Sequence, residues 1–310
     1  MTVIEGRRSR LYPSAPILLA LCALGGGLAS CSKPATPTGM ALVPAGEFVM
    51  GSDAIDKDDK ATEYGITKPW FDDEHPAHAV NLPAFFLDLR EVTVTDYFKF
   101  VQATGRRPPP DWNSDQPPAG RDNYPIVYVT WDDAKAYCLW AGKRLPTEAE
   151  WEKAARGTDG RVYPWGSAFE PARANTNGDH NEPLPVGSLP EGRSPYGMLD
   201  MTGNVWEWTE DWYQAYTGNS YQHPRFGQQV KVIRGNSWSS LGHYPPQVFN
   251  EIKAHYSRAS FRLFMAPDGL VNDVGIRCAK STDYLRSRPG AIRSRGRRGR
   301  AATGRRFGRR

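Results

Sequence analysis

Ten tryptophans lie between Trp70 and Trp238, in a chain that also carries 30 glycines and 26 prolines. Glycine opens the backbone to turn conformations and proline removes an amide donor, so at this density they break the chain into short segments. A loop-rich fold without long helices is expected. Large aromatic rings must then supply the buried area. The 310 residues suffice for one large domain or two small ones, and a domain of about 250 residues hides roughly three quarters of its unfolded surface.

Short elements can be placed within this frame. "VPAGEFVMG" (43–51) reads as a Gly-bounded strand and Ala84–Leu89 as a second. Thr95 caps a helix running to about Ala103, stopped by Gly105. Trp131–Ala141 is a clearer helix: Thr130 caps it, Asp133 sits three residues on, and Ala134, Tyr137, Cys138 and Ala141 share one apolar face. Thr147–Arg156 is a third helix, opened by a Thr147/Glu150 capping box and ended by Gly157. From there to residue 229 turns prevail, and strands return at Val230–Arg234 and Asp273–Ala279. Three short helices among strands and loops, without internal repeats, predict a single α+β domain.

The N-terminus reads as a targeting segment. Arg7, Arg8 and Arg10 precede "SAPILLALCALGGGLAS", a basic region followed by a short apolar one. The run is too short and Gly-rich for a membrane span of about 20 residues. Leu28-Ala-Ser-Cys31 resembles a bacterial lipoprotein cleavage box, which implies cleavage before Cys31 and lipidation of its thiol. Residues 1–30 are thus expected to be an export signal, 31–39 a lipidated tether, 40–285 the folded domain and 286–310 a disordered tail. Export leaves Cys138 and Cys278 as the thiols of the body in an oxidising compartment, enough for one disulfide.

The formal charge of +5 conceals an acidic body. Residues 286–310 hold eleven arginines and no acid, and without them the net charge is −6. The first thirty residues carry a further +2, which leaves −8 for 31–285. An acidic body argues against nucleic-acid binding. The Arg-rich tail has too little apolar surface to support a core.

Four stretches carry a resemblance: "GEFVMGS" (46–52), "AYCLWAGKRLPTEAEWEKAARG" (136–157), "YGMLDMTGNVWEWTEDW" (196–212), and "VIRGNSW" with "VGIRCAK" (232–238 and 274–280). In this order they resemble the formylglycine-generating enzyme family, the sulfatase-modifying factors, over about 40–280. The resemblance implies a loop-rich, C-type-lectin-related domain with little regular secondary structure. It also implies calcium held by Asp200, Glu207 and the carbonyls of Gly203 and Val205, and a second site at Asn175, the Thr176 carbonyl and Asp179. Carboxylates, carbonyls and amides suit a hard cation; a carboxylate cluster that caps turns is the other reading. In an extended "WEW" segment the rings of Trp206 and Trp208 face one way and Glu207 the other.

Enzymes of this family bind copper(I) through two cysteines, as a soft metal requires. The matching positions here are Ser240 and Pro245, while Ser237 and Trp206 match residues lining the active site. The resemblance therefore implies a vacated copper site; neither copper nor catalytic residues are expected. The histidines offer no trusted metal spacing: His75 and His78 would not share a strand face, and His243 and His255 lie near the vacated site in sequence alone. Two functional readings stand. One is a lipid-anchored, extracytoplasmic binding or assembly module of the bacterial envelope, in the periplasm or on the outer membrane, with a protein or glycan ligand. The other is an oxidoreductase of altered mechanism acting on a peptide or small molecule.

Overall fold

The structure is a computed structural model that describes residues 36–66, 68–113, 115–239 and 242–282. The export signal, Cys31, Ser240 and the Arg-rich tail lie outside the described residues. Among the described residues, nine strands and five α-helices alternate with long irregular connections. They are β1 (Met40–Val43), β2 (Gly46–Met50), α1 (Lys60–Glu63), β3 (His78–Leu82), β4 (Phe85–Asp88), α2 (Val94–Thr104), α3 (Trp131–Trp140), α4 (Glu148–Arg156), β5 (Trp206–Trp212), β6 (Lys231–Arg234), α5 (Pro246–Tyr256), β7 (Leu263–Met265), β8 (Val274–Gly275) and β9 (Ala279–Ser281). The fold is α+β with little regular secondary structure, as expected. No described helix is long and apolar enough to cross a membrane.

Three sheets result, in the orders β1-β4-β9, β2-β3 and β7-β6-β5-β8. All pairings are antiparallel except β5 with β8. The strand expected over 43–51 is two strands. Pro44 interrupts the ladder, and the carbonyls of Pro44 and Gly46 turn to accept from buried Lys153, at 2.9 and 2.6 Å. The strand expected over 273–279 also divides. Its middle leaves the ladder because Arg277 and Cys278 are held by long-range partners: Cys278 bonds to Cys138 with Cα atoms 5.7 Å apart, and its amide donates to Asp88 Oδ2 at 3.1 Å.

The helices follow their caps. Thr130 with Asp133, and Thr147 with Glu150, form reciprocal capping boxes at α3 and α4. Ala134, Tyr137 and Cys138 are buried as expected, while Ala141 is the half-buried C-cap. The cap of α2 is Thr93, not Thr95: its hydroxyl accepts from the Asp96 amide at 3.1 Å, which places Thr95 in the first turn. α5 was not expected. It begins with Pro246 at the position where a missing amide costs nothing, and no glycine interrupts residues 246–256.

Two apolar clusters meet across β5. Trp206 and Trp208 pack with Phe261, Ile233, Tyr97 and Phe100. Trp151, Phe85, Leu87, Met198 and Met201 form the second. The alternation of "WEW" is realised: both rings join the first cluster, and Glu207 faces Trp151 of the second.

Candidate functional site

The turn after β6 is the structural centre of the candidate site. Gly235 and Asn236 both have positive φ, at 104° and 66°, and they turn the chain under three neighbouring loops. The Ser237 carbonyl accepts from the Asn177 amide at 2.9 Å and that of Trp238 from Gly178 at 2.6 Å. The Trp238 amide donates to the Asn204 carbonyl at 3.0 Å, and the Trp206 amide to the Asp273 carbonyl at 2.8 Å. The Ser237 hydroxyl donates to Asp273 Oδ2 at 2.9 Å. Burial raises the Asp273 carboxyl above its usual range, against the lowering effect of that bond.

The structure thus joins Ser237 and Trp206 through Asp273, a residue sequence reasoning missed. Its sequence signal is only adjacency to the "VGIRCAK" motif. Pro245 is the N-cap of α5 and supplies no ligand. Cys138 and Cys278 are linked, so neither offers a thiolate. Beside the turn lies a groove of about 400 Å³. Trp238, Trp112, Tyr124, Pro183 and Asn272 contribute walls to it.

The expected cation positions divide into two unlike groups. Gly203 sits so close to Asn175 that a Cβ there would lie 2.5 Å from the Asn175 carbonyl oxygen. The chain segments carrying the two ligand sets are therefore in contact.

Asp200 lies next to Glu91, a second missed residue, and the charge of Asp200 acts on the Glu91 carboxyl. Glu91 is 3% exposed. Its Oε1 accepts from Asn204 at 2.9 Å, and its Oε2 has no hydrogen-bond partner. Burial, then the Asp200 charge, pushes the Glu91 carboxyl well above its ordinary range, and burial raises Asp200 too. The Gly187 amide donates to Asp200 Oδ2 at 2.5 Å.

Glu207 is committed elsewhere. Its carboxylate accepts from Arg277 at 2.7, 2.9 and 3.0 Å and from Trp151 Nε1 at 2.6 Å. Glu207, the residue expected to ligate a cation beside Asp200, thus has both carboxylate oxygens in contact with Arg277 and one also with Trp151.

At the second set, Asp179 does reach the Asn175–Thr176 turn. Its Oδ2 lies 3.4 Å from both the amide and the hydroxyl of Thr176. Its other oxygen pairs with Lys253 of α5. Asn175 donates to the Glu182 carbonyl at 2.9 Å, while its Oδ1 is unpartnered. The positive charge expected from a cation is already supplied at Asp179 by an ammonium.

No histidines converge. His75 is near Asp53 at 3.8 Å, His78 packs edgewise on Tyr216, and His255 stacks on Trp70 at 4.2 Å. Burial pushes His255 well below its ordinary pKa, which keeps the ring neutral. Among the described residues, no group of three His, Cys, Asp or Glu side chains is placed to hold a metal ion.

Known proteins place this geometry. The family model for the sulfatase-modifying factor enzyme 1-like domain matches residues 28–282. The inactive C-alpha-formylglycine-generating enzyme 2 of Bos taurus is 32% identical over 317 aligned positions, covering 85% of this chain and 95% of its own. The formylglycine-generating enzyme of Streptomyces coelicolor is also 32% identical, covering 81% and 92%. Among solved structures, PvdO from Pseudomonas aeruginosa is 29% identical with a TM-score of 0.57, over 78% of this chain and 94% of its own. With the family model covering most of the chain and the Ser237, Trp206 and Glu207 motifs built into one turn-rich fold, this chain belongs to the sulfatase-modifying factor enzyme 1-like family.

Proposed function

We propose that the protein is a lipid-anchored, extracytoplasmic module of the bacterial envelope that binds a protein or glycan ligand without copper oxidase chemistry. What supports this reading is a groove beside the Ser237 turn together with the lack of a free cysteine thiol among the described residues. Trp238 and Asn272 wall the groove beside the Ser237–Asp273 pair. Pro245 opens a helix, and the thiols of the body are spent in one disulfide. Copper(I) needs soft sulfur donors, and a serine hydroxyl at 240 is a hard one. The purified protein is expected neither to retain copper(I) nor to convert the cysteine of a Cys-x-Pro-x-Arg peptide, as read by elemental and peptide mass spectrometry. Copper-dependent conversion would replace this reading with the oxidoreductase one. A photo-crosslinker at Asn272 is expected to trap an envelope protein or glycan, and Trp238→Ala to abolish the product.

Calcium is proposed at one of the two expected positions. Asp200 and Glu91 are two neighbouring buried carboxyls, and Glu91 Oε2 has no hydrogen-bond partner. Such a pair requires a proton or a cation. Asp200, Glu91 and the carbonyls of Gly203 and Val205 are the oxygens that would hold it. When bound, the ion supplies charge neutralisation and joins the 200–205 turn to Glu91. The Asn175–Thr176–Asp179 turn is excluded from the proposal, since Lys253 fills that role.

A further inference from the structure

We propose that the exposed end of α3, Leu139–Trp140, seats on the bilayer surface to which the N-terminal lipid tethers the protein; this rests on the lipid-anchor reading above. Leu139 is 60% exposed and Trp140 43%. They are consecutive, whereas the other large exposed apolar residues among the described ones, Val49, Ile55 and Leu270, stand singly. Trp140 is held from behind by Phe100 at 5.6 Å and Tyr137 at 5.9 Å between ring centroids. A fixed ring with a free edge is the kind of side chain that partitions into the interfacial zone of a membrane.

The chain enters the body beside this patch. Met40 is in register with Asp88, and Asp88 accepts from Lys143 Nζ at 2.5 Å, three residues beyond Trp140. Thr38 and Gly39 line the same cleft of about 740 Å³ as Tyr137, Lys143 and Lys99. The tether's last residues and the C-terminal end of α3 therefore border one depression.

Chain length then chooses the occupant. Eight peptide units separate Cys31 from Gly39, a reach of at most about 28 Å when fully extended. A compact body of about 245 residues has a radius of gyration near 18 Å and is roughly 45 Å across. The pole opposite Gly39 cannot reach the bilayer on such a tether, so the half of the body that bears Gly39 and the end of α3 is the half within its reach. Around the patch, Lys143 pairs with Asp88 and Lys99 with Asp96. The opposed charges cancel, so seating depends on the apolar pair rather than on anionic lipid.

The test uses full-length protein purified from membranes, with lipidation of Cys31 read by intact mass. It is reconstituted into phosphatidylethanolamine vesicles with and without phosphatidylglycerol, doped with shallow doxyl-labelled lipid. Tryptophan quenching is expected in the wild type and in both lipid mixtures. Trp140→Phe, which keeps a ring against Phe100 and Tyr137, is expected to lose the quenched fraction, and Leu139→Ser to reduce it. Equal quenching of wild type and Trp140→Phe with the lipid in place overturns the proposal. A doubled mass in detergent with Trp140 shielded from quencher overturns it too, because a second copy then covers the patch. Absence of lipid on Cys31 overturns the anchor reading itself, and the seating falls with it; intact mass separates that failure from the others.

Discussion

Asp179 and Asp200 are both acids at turns expected to hold a cation, and they are satisfied in opposite ways. Asp179 faces Lys253, an ammonium on α5. Asp200 faces Glu91, another carboxyl, with an oxygen left over. Arg277 is bound by Glu207 through three contacts and reaches Glu91 Oε2 only as a long ion pair at 4.0 Å. The difference teaches that a ligand pattern does not make a metal site: what counts is whether the fold has already delivered a positive charge. Where it has, an added cation meets repulsion. Where it has not, the buried carboxyls must take a proton or an ion.

The strongest way to break the comparison is to remove Arg277. Arg277→Met leaves Glu207 buried and unpaired beside Glu91 and Asp200, and is expected to cost about 3–5 kcal/mol in urea denaturation. Adding Glu207→Gln should recover part of that loss. If the double variant is no more stable than the single, Arg277 acts by packing rather than by neutralising charge. Next in size is calcium. At a free concentration 100 times the dissociation constant, the ion is expected to stabilise the protein by about 2.7 kcal/mol. Glu91→Gln should abolish that gain while raising the melting temperature in chelator, because it removes a repelling carboxyl. A calcium gain that survives Glu91→Gln but vanishes in Asp179→Asn would reverse the assignment of the two turns.

Asp211 is an intermediate case, a carboxyl whose Oδ2 accepts from the Glu148 amide at 2.6 Å. Burial, and then the charge of Glu148, push it up to about 6. Because the folded value lies above the unfolded one near 4, its stabilising contribution is complete below about pH 4. It is lost as pH rises through about 6. Asp211→Asn keeps an acceptor for the amide and is expected to be more stable than wild type by about 2 kcal/mol at pH 8, with no difference at pH 3.5. A pH-independent difference would assign the effect to packing. The smallest effect is expected from Lys253→Gln, about 1 kcal/mol, since Asp179 remains partly open to water and its screening is strong. Its sharper readout is calcium: this variant should acquire a second stabilising site at Asp179. A calcium response identical to wild type would show that Lys253 is not what keeps a cation from that turn.

Much of the fold was legible because its signals are local. Thr130 with Asp133, and Thr147 with Glu150, act across three residues, and both boxes form as read. Gly105 closes α2 in the left-handed region, with φ of 67°, as a helix-stopping glycine should. The Cys138–Cys278 link followed from having two thiols in the body. α5 was less legible. Its start, Pro245–Pro246, reads equally well as a broken loop until the helix finds Trp70 and the 60–71 segment to pack against.

The sequence by itself determined the family, the capped helices, the alternation that splits "WEW" between two clusters, and the absence of cysteine at 240 and 245. Each is either composition or an interaction over a few residues. The tertiary structure alone decided which acid receives which cation. Glu207 meets Arg277 across 70 positions, Asp179 meets Lys253 across 74, and Glu91 meets Asn204 across 113. Such pairings depend on distance through a medium of low polarizability, and no local pattern encodes that distance. It is set by how the strands and turns close over one another.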